Sequence, residues 1–84
     1  MSASDDGTLE YGRVVVELRC EYPGAEVLLI DGQLKLVGRA LQTLRVAVPP
    51  GVYTCRVLIG EALRDERIIV RPDQQFSREL QPPR

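Results

Sequence analysis

Turn-forming residues interrupt this chain at short intervals, and their spacing limits what it can fold into. The turns are predicted at Tyr22-Pro23-Gly24, Asp31-Gly32, Pro49-Pro50-Gly51 and Arg71-Pro72-Asp73. Proline lacks a backbone N–H and glycine accepts positive φ, so regular structure ends where such residues cluster. Short segments separated by turns about every 8–12 residues are typical of β-sandwiches and β-barrels.

The segments between these turns alternate between apolar and polar residues. In residues 13–20 the even-numbered positions are valine, leucine and cysteine, whereas the odd-numbered positions are mainly charged. A period of two predicts a strand with one buried side. Alternation or β-branched, apolar runs predict further strands at residues 26–30, 44–48, 53–59, 66–70 and 76–80.

Two connections follow from these strands. We expect residues 53–59 to form a hairpin with residues 44–48, because the intervening Pro49-Pro50-Gly51 reverses the chain. Residues 60–65 contain three charged side chains and no apolar alternation, and we expect a polar loop or at most one helical turn there.

The segment QLKLVGRALQTL, residues 33–44, allows two folds. Its apolar residues have helical spacing, but Gly38 would cost a helix about 1 kcal/mol relative to alanine. We favour an irregular or short-strand connection, which predicts an all-β fold: a small β-sandwich of about six to seven short, mainly antiparallel strands. The alternative is a ubiquitin-like β-grasp fold, with residues 33–42 as a helix crossing a hairpin of residues 13–20 and 26–30.

The chain of 84 residues is long enough for one small domain. We place this domain at residues 12–81. Residues 1–11 are mostly small or acidic, and we expect them to form a disordered lead-in. We expect residues 82–84 to begin a linker or tail.

The composition argues against catalysis and against several classes of partner. Histidine is absent, which removes the most common general base and metal ligand, and we predict no enzyme, cofactor or metal. The net charge of −1 and the absence of tryptophan argue against nucleic acid. No apolar run reaches the roughly 18–20 residues that span a bilayer, so we expect no direct membrane insertion.

The two cysteines and the start of the chain give further expectations. Cys20 and Cys55 have the inward parity of their strands, and we interpret them as reduced, buried hydrophobic residues. The opening residues MSASDDG lack the basic and apolar regions of a signal peptide. We therefore expect a cytoplasmic location for the chain as written, or the cell envelope if a leader precedes it.

Some apolar residues lie on the sides of the strands that we assign to solvent, near arginines. A surface of this kind, with an arginine rim or an open strand edge, is typical of protein-binding sites. The candidate partner-binding residues are Val15, Leu28, Leu58, Ile69, Arg13, Arg56 and Arg67, and Arg45 lies on the same outward side of its strand.

The turns and strands together resemble the PEGA domain. That family combines a P-x-G-A-x-V-x-V-D-G element with a later P-P-G-x-Y-x-V-x-V element. Here Pro23-Gly24-Ala25-Glu26-Val27 leads to Asp31-Gly32, and Pro49-Pro50-Gly51-Val52-Tyr53 leads to Val57. Between these elements the family has a G-x-T-P element. Here Gly38 takes the place of its glycine, but Arg39-Ala40-Leu41 replaces the threonine-proline. An aromatic residue often follows a later glycine of the family, whereas Glu61 follows Gly60 here.

The resemblance covers roughly residues 13–80, and it implies a small β-sandwich that serves as a non-catalytic accessory or spacer module in bacterial multidomain proteins. We therefore expect a protein-interaction or spacer module, the terminal domain of a larger bacterial protein. Its partner would be another protein or a neighbouring domain of the same chain, and weak homo-oligomers are expected as well. The alternative function is a ubiquitin-like adaptor or modifier.

Overall fold

The computed structural model describes residues 12–83, which form seven strands and no helix. The strands are β1 (Val14–Arg19), β2 (Glu26–Ile30), β3 (Leu36–Leu41), β4 (Thr43–Val48), β5 (Gly51–Ile59), β6 (Ala62–Val70) and β7 (Phe76–Glu79). The all-β prediction is confirmed. The β-grasp alternative is wrong, because the segment that would be its crossing helix contains strand β3. Residues 1–11, where we predict a disordered lead-in, lie outside the described residues.

The strands form two sheets that pack against each other as a sandwich. The small sheet has the order β4-β1-β7 and the large sheet has the order β3-β2-β5-β6. All neighbouring strands run antiparallel except β1 and β7, which are parallel. Because β1 and β7 run the same way, the described chain enters at one end of the small sheet and leaves at the other.

The core lies between the two sheets and is built from the inward positions of their strands. In β1 the even-numbered residues Val16 and Leu18 are fully buried, as the alternation predicts. Every buried side chain among residues 12–83 is apolar. The core cluster contains Val14, Val16, Leu18, Cys20, Ala25, Val27, Leu29, Leu44, Val48, Tyr53, Cys55, Val57, Ile68, Val70 and Leu80.

The predicted hairpin of residues 44–48 with residues 53–59 is wrong. β4 pairs with β1 in the small sheet, whereas β5 pairs with β2 and β6 in the large sheet. Pro49-Pro50-Gly51 carries the chain from one sheet to the other and does not fold it back within one sheet. Val48 and Tyr53, on either side of this crossover, are both buried in the common core.

The loop predicted at residues 60–65 is also wrong, because β6 already begins at Ala62. Gly60 has a φ of 60° and Ile59 lies opposite Ala62, so Gly60 and Glu61 alone make the turn. Glycine at the first of two turn residues is typical of a type II′ hairpin. The charged residues after the turn continue the ladder, with Asp65 opposite Arg56.

Gly38 has a packing role in β3. A Cβ atom at this position would lie 3.2 Å and 3.3 Å from the two terminal methyl carbons of Leu44. Leu44 is buried on β4, which follows β3 after a one-residue turn at Gln42 with a φ of 67°. The absence of a side chain on β3 therefore lets the leucine of β4 fill this side of the sandwich.

The opposite side of the sandwich is closed by an ion pair between Glu66 of β6 and Arg78 of β7. These two strands are the edges of the large and the small sheet on that side. Arg78 also lies over the ring of Phe76, with its guanidinium carbon 5.1 Å from the ring centroid. Among residues 12–83, no helix has the length and apolarity needed to cross a membrane.

Candidate functional site

The outward surface of the large sheet, called the outer face below, carries rows of apolar side chains. Across it, Leu41 lies opposite Glu26, Glu26 opposite Leu58, and Leu58 opposite Leu63. A parallel row at the other end of the sheet places Val52 opposite Ile69. These rows form because side chains alternate between the two surfaces of a sheet and opposite residues share a surface.

Most of the exposed apolar bulk of the described chain lies on the outer face. Seven large hydrophobic residues among residues 12–83 are exposed, and five of them are on this surface. The other two, Tyr22 and Leu34, lie in turns. The five are Leu36, Leu41, Val52, Leu63 and Ile69.

The middle of the outer face already excludes much of the solvent. Ile30 of β2 is only 9% exposed although it does not belong to the core between the sheets. Leu28 and Leu58 are half-buried on the same surface. The outer face thus has less exposed apolar side chains on its two central strands and more exposed ones mainly on its edge strands, where a partner could still bury apolar area.

Charged residues divide this apolar surface. Arg39 forms an ion pair with Glu26 at 2.6 Å. The Arg56 guanidinium donates two hydrogen bonds to the Asp65 carboxylate, at 2.8 Å and 3.0 Å. The hydrogen bond from Arg56 lowers the pKa of Asp65, and the same bond raises the pKa of Arg56. Within residues 12–83, none of the ion pairs includes Arg67, the third arginine of the outer face.

The corresponding surface of the small sheet has a different chemistry. There Glu17 lies opposite Arg45 on one side and Ser77 on the other, and Arg19 lies opposite Glu79. Arg19 and Glu17 also approach within 3.2 Å. Opposite charges alternate over this sheet, which is typical of a surface that faces water.

The structure brings together five of the seven predicted partner-binding residues. Leu28, Leu58, Ile69, Arg56 and Arg67 all lie on the outer face.

The other two predicted residues lie elsewhere. Val15 faces outward from the small sheet and lies opposite Ala47. Arg45 faces outward from the same sheet and lies opposite Glu17. The Arg13 guanidinium donates a hydrogen bond to the carbonyl oxygen of Ala47 at 3.2 Å. Val15 and Arg13 line a cleft of about 410 Å³ with Pro50 and Pro72 and belong to a different surface from the other five.

The sequence analysis missed four of the five exposed large apolar residues of the outer face. Leu36 and Leu41 lie in the segment that is predicted as an irregular or short-strand connection, and Leu63 lies in the predicted loop. Val52 adjoins a predicted turn, but it alternates with Tyr53 and Cys55 in β5 and could have been found from that strand's parity. The other three needed the bounds of β3 and β6, which the local pattern does not provide.

The two cysteines lie between the sheets, as predicted. Cys20 and Cys55 are both free thiols and each is 1% exposed. Burial raises the pKa of Cys55 to about 12, and the nearby Glu66 carboxylate adds to this effect. A thiol with so high a pKa carries almost no thiolate at neutral pH, and thiolate is the nucleophilic form.

Within the described part of the chain, no group of three or more histidine, cysteine, aspartate or glutamate residues could hold a metal ion. No protein-family model, curated protein or solved structure matches this chain.

Proposed function

We propose that this domain is a non-catalytic protein-interaction module that docks on another protein, or on a neighbouring domain of the same chain, through the outer face. One observation carries the proposal: the two outward surfaces of the sandwich differ in kind. The large sheet displays five exposed large apolar side chains, whereas the small sheet displays alternating charges. Exposed apolar side chains concentrated on one surface are typical of protein-binding sites.

The charges of the outer face indicate the chemistry of the partner. Three guanidinium groups, of Arg39, Arg56 and Arg67, share this surface with only two carboxylates, of Glu26 and Asp65. A complementary partner would therefore have an apolar surface that also carries at least one carboxylate. Fully burying one large apolar side chain contributes about 1.5–3 kcal/mol before the costs of association, so several half-exposed residues support a moderate affinity.

The position of the thiols supports the non-catalytic part of the proposal. Cys20 and Cys55, the strongest nucleophiles available to this composition, lie in the core. The resemblance to PEGA domains supports the same assignment, since it implies an accessory module of bacterial multidomain proteins.

A spacer role is the second candidate, and the parallel pairing of β1 with β7 favours it. Chain that precedes β1 and chain that follows β7 leave from opposite ends of the small sheet. Such a domain would hold the chain before β1 and the chain after β7 apart by about the length of a strand.

The docking proposal is tested by adding charge to the outer face at β3. Leu36→Glu combined with Leu41→Glu changes two exposed residues of this surface, and Thr43→Glu combined with Ala47→Glu adds the same charge to the small sheet. Tagged wild-type and variant chains would be expressed in the source cells, cross-linked and purified. We expect at least one protein to co-purify with the wild type and the control but not with the outer-face variant.

Circular dichroism and thermal unfolding of each variant would establish that it is folded. Identical co-purifying proteins for all three chains would contradict docking through the outer face. If only the control lost a protein, the docking surface would lie on the small sheet.

A further inference from the structure

Strand β6 is an open edge of the large sheet. It pairs with β5 on one side, and no strand of the described chain pairs with its other side. In a hairpin with a two-residue turn, the residues flanking the turn are a hydrogen-bonded pair, here Ile59 and Ala62. The backbone N–H and C=O groups of the even-numbered residues of β6 therefore face β5. Those of Leu63, Asp65, Arg67 and Ile69 point to the open edge.

The same four residues also place their side chains on the outer face. Leu63 is 50% exposed and Ile69 is 53% exposed, and the charged Asp65 and Arg67 lie between them. Read along the edge, the order is apolar, acidic, basic, apolar. This order is complementary to itself when a second strand runs antiparallel to the first.

We propose that β6 pairs with β6 of a second copy of this chain, antiparallel about a two-fold axis at Glu66, so that two large sheets become one continuous sheet. In this register Leu63 lies opposite Ile69 of the second copy, and Asp65 lies opposite Arg67 of the second copy. The two-fold axis repeats both contacts. Every outward-pointing backbone group between Leu63 and Ile69 then has a hydrogen-bond partner, as in β-strand addition.

Neighbouring registers are disfavoured by charge. Moving the two-fold axis by one residue, to Asp65 or to Arg67, places that charged residue directly opposite its own copy. Like charges directly opposite each other destabilise a strand pair. Both shifts also lose the contacts between Asp65 and Arg67, because Arg67 then lies opposite Leu63 or Asp65 lies opposite Ile69. The charged middle of β6 therefore favours the register with Asp65 opposite Arg67 over its two neighbours.

The chosen register brings two copies of Glu66 together at the axis, but their carboxylates are compensated. Each Glu66 side chain points to the inner side of the sheet, where Arg78 of its own chain forms an ion pair with it. On the outer face, Asp65 already binds Arg56 of its own chain and would gain Arg67 of the second copy on its other side. Arg67 would thereby obtain the carboxylate that it lacks among the described ion pairs.

This inference rests on the proposed function, since it names a second copy of the chain as one partner of the module. It uses the edge of the large sheet and leaves the outer face open. Pairing would in fact join two outer faces into one larger surface. The two proposals can therefore fail separately.

The test is the mass of the purified chain in solution as a function of concentration, measured by light scattering and analytical ultracentrifugation. We expect the wild type and Arg67→Lys to approach twice the mass of one chain. Arg67→Asp places aspartate opposite Asp65 of the second copy, and Asp65→Arg places arginine opposite Arg67, so each variant alone should keep the mass of one chain. An equimolar mixture of these two variants should form a heterodimer, seen by native mass spectrometry.

Amide hydrogen exchange of the wild type gives a second readout that requires no variant. With rising concentration, exchange should slow at Leu63, Asp65, Arg67 and Ile69. The amides of Arg64, Glu66 and Ile68 bond to β5 and should be protected at every concentration.

A wild type that keeps the mass of one chain at every concentration would overturn the self-pairing and leave docking through the outer face standing. A dimer that persists in Arg67→Asp, or a mixture of the two charge variants that stays monomeric, would also overturn it. The variant combining Leu36→Glu with Leu41→Glu should still dimerise. Loss of its dimer would assign the contact to the outer face and overturn pairing through β6.

Discussion

The Tyr53 hydroxyl donates a hydrogen bond to the backbone carbonyl oxygen of Pro49, with 2.6 Å between the two oxygens. Pro49 follows the last residue of the small sheet, and Tyr53 belongs to the large sheet. The bond therefore spans the crossover Pro49-Pro50-Gly51. The two prolines have no backbone N–H, so they cannot donate a hydrogen bond that would stabilise this turn. The tyrosine ring is buried and its hydroxyl satisfies a carbonyl of the connection.

Removing this hydroxyl should weaken the domain. Tyr53→Phe keeps the buried ring and leaves the Pro49 carbonyl without its protein donor, so we expect the free energy of unfolding to fall by about 0.5–1.5 kcal/mol. Urea denaturation followed by circular dichroism measures the change. Tyr22→Phe is the matched control, because the side chain of Tyr22 is half exposed. Equal changes for the two variants would show that the bond to Pro49 contributes nothing.

Gly51 should resist substitution for a backbone reason. Its φ is 155°, a value that residues with a side chain rarely adopt, although an added Cβ would come no closer than 3.8 Å to the Tyr53 ring. We expect Gly51→Ala to lower the free energy of unfolding by about 1–3 kcal/mol. Gly32→Ala is the control, since its added Cβ would lie at a similar 3.7 Å from the Val52 carbonyl oxygen without positive φ. A cost shared by both variants would contradict the assignment to φ.

Gly38 should resist substitution for a packing reason instead. A Cβ on Gly38 would lie 3.2 Å from a methyl carbon of Leu44, so Gly38→Ala should destabilise the fold by about 1–3 kcal/mol. In a Leu44→Val background the crowding is relieved, and the same substitution should cost less. A double-mutant cycle from denaturation curves measures this coupling. Strict additivity of the two substitutions would show that Leu44 is not the obstacle.

The buried thiol of Cys55 should make stability fall in alkaline solution. Its pKa is raised from an ordinary value of 9.0 to about 12, chiefly by burial, with Glu66 opposing ionisation and Arg78 favouring it. Between these two pH values the unfolded chain binds fewer protons than the folded chain. The free energy of unfolding must therefore fall as pH rises, by at most about 1.4 kcal/mol per pH unit.

Cys55→Ala isolates this effect, because all other titrating groups remain. Urea denaturation at several pH values from the ordinary thiol pKa of 9.0 upward measures the effect. The free energy of unfolding should depend less on pH in the variant than in the wild type. Parallel curves would mean that the thiol ionises equally easily in the folded and unfolded chains.

The positions of most strands could be predicted from the sequence, but their pairing could not. In β1 and in residues 53–57, apolar and polar residues alternate along the sequence itself. The alternating burial of their side chains follows this local pattern. By contrast, the partner of β4 is decided by packing between distant segments. The prolines before β5 indicate where β4 ends but contain no information on which sheet the next strand joins.

The start of β6 shows why a strand can be invisible in the pattern. After Ala62, the next two inward positions of β6 are Arg64 and Glu66, which are charged because they lie at the edge, where Glu66 meets Arg78. Large inward apolar residues begin only at Ile68. Leu63 lies in this part of β6, so the alternation of the sequence does not assign it to the outer face.

The parallel pairing of the first and last described strands also determines how the domain would respond to force. Val16–Arg19 of β1 lies alongside Phe76–Glu79 of β7, and both strands run in the same direction. A pull on the chain before β1 and after β7 would slide these strands past each other lengthwise. The hydrogen bonds of the ladder would then bear the load together, whereas antiparallel terminal strands can be peeled apart one bond at a time. The domain should therefore resist stretching along the chain.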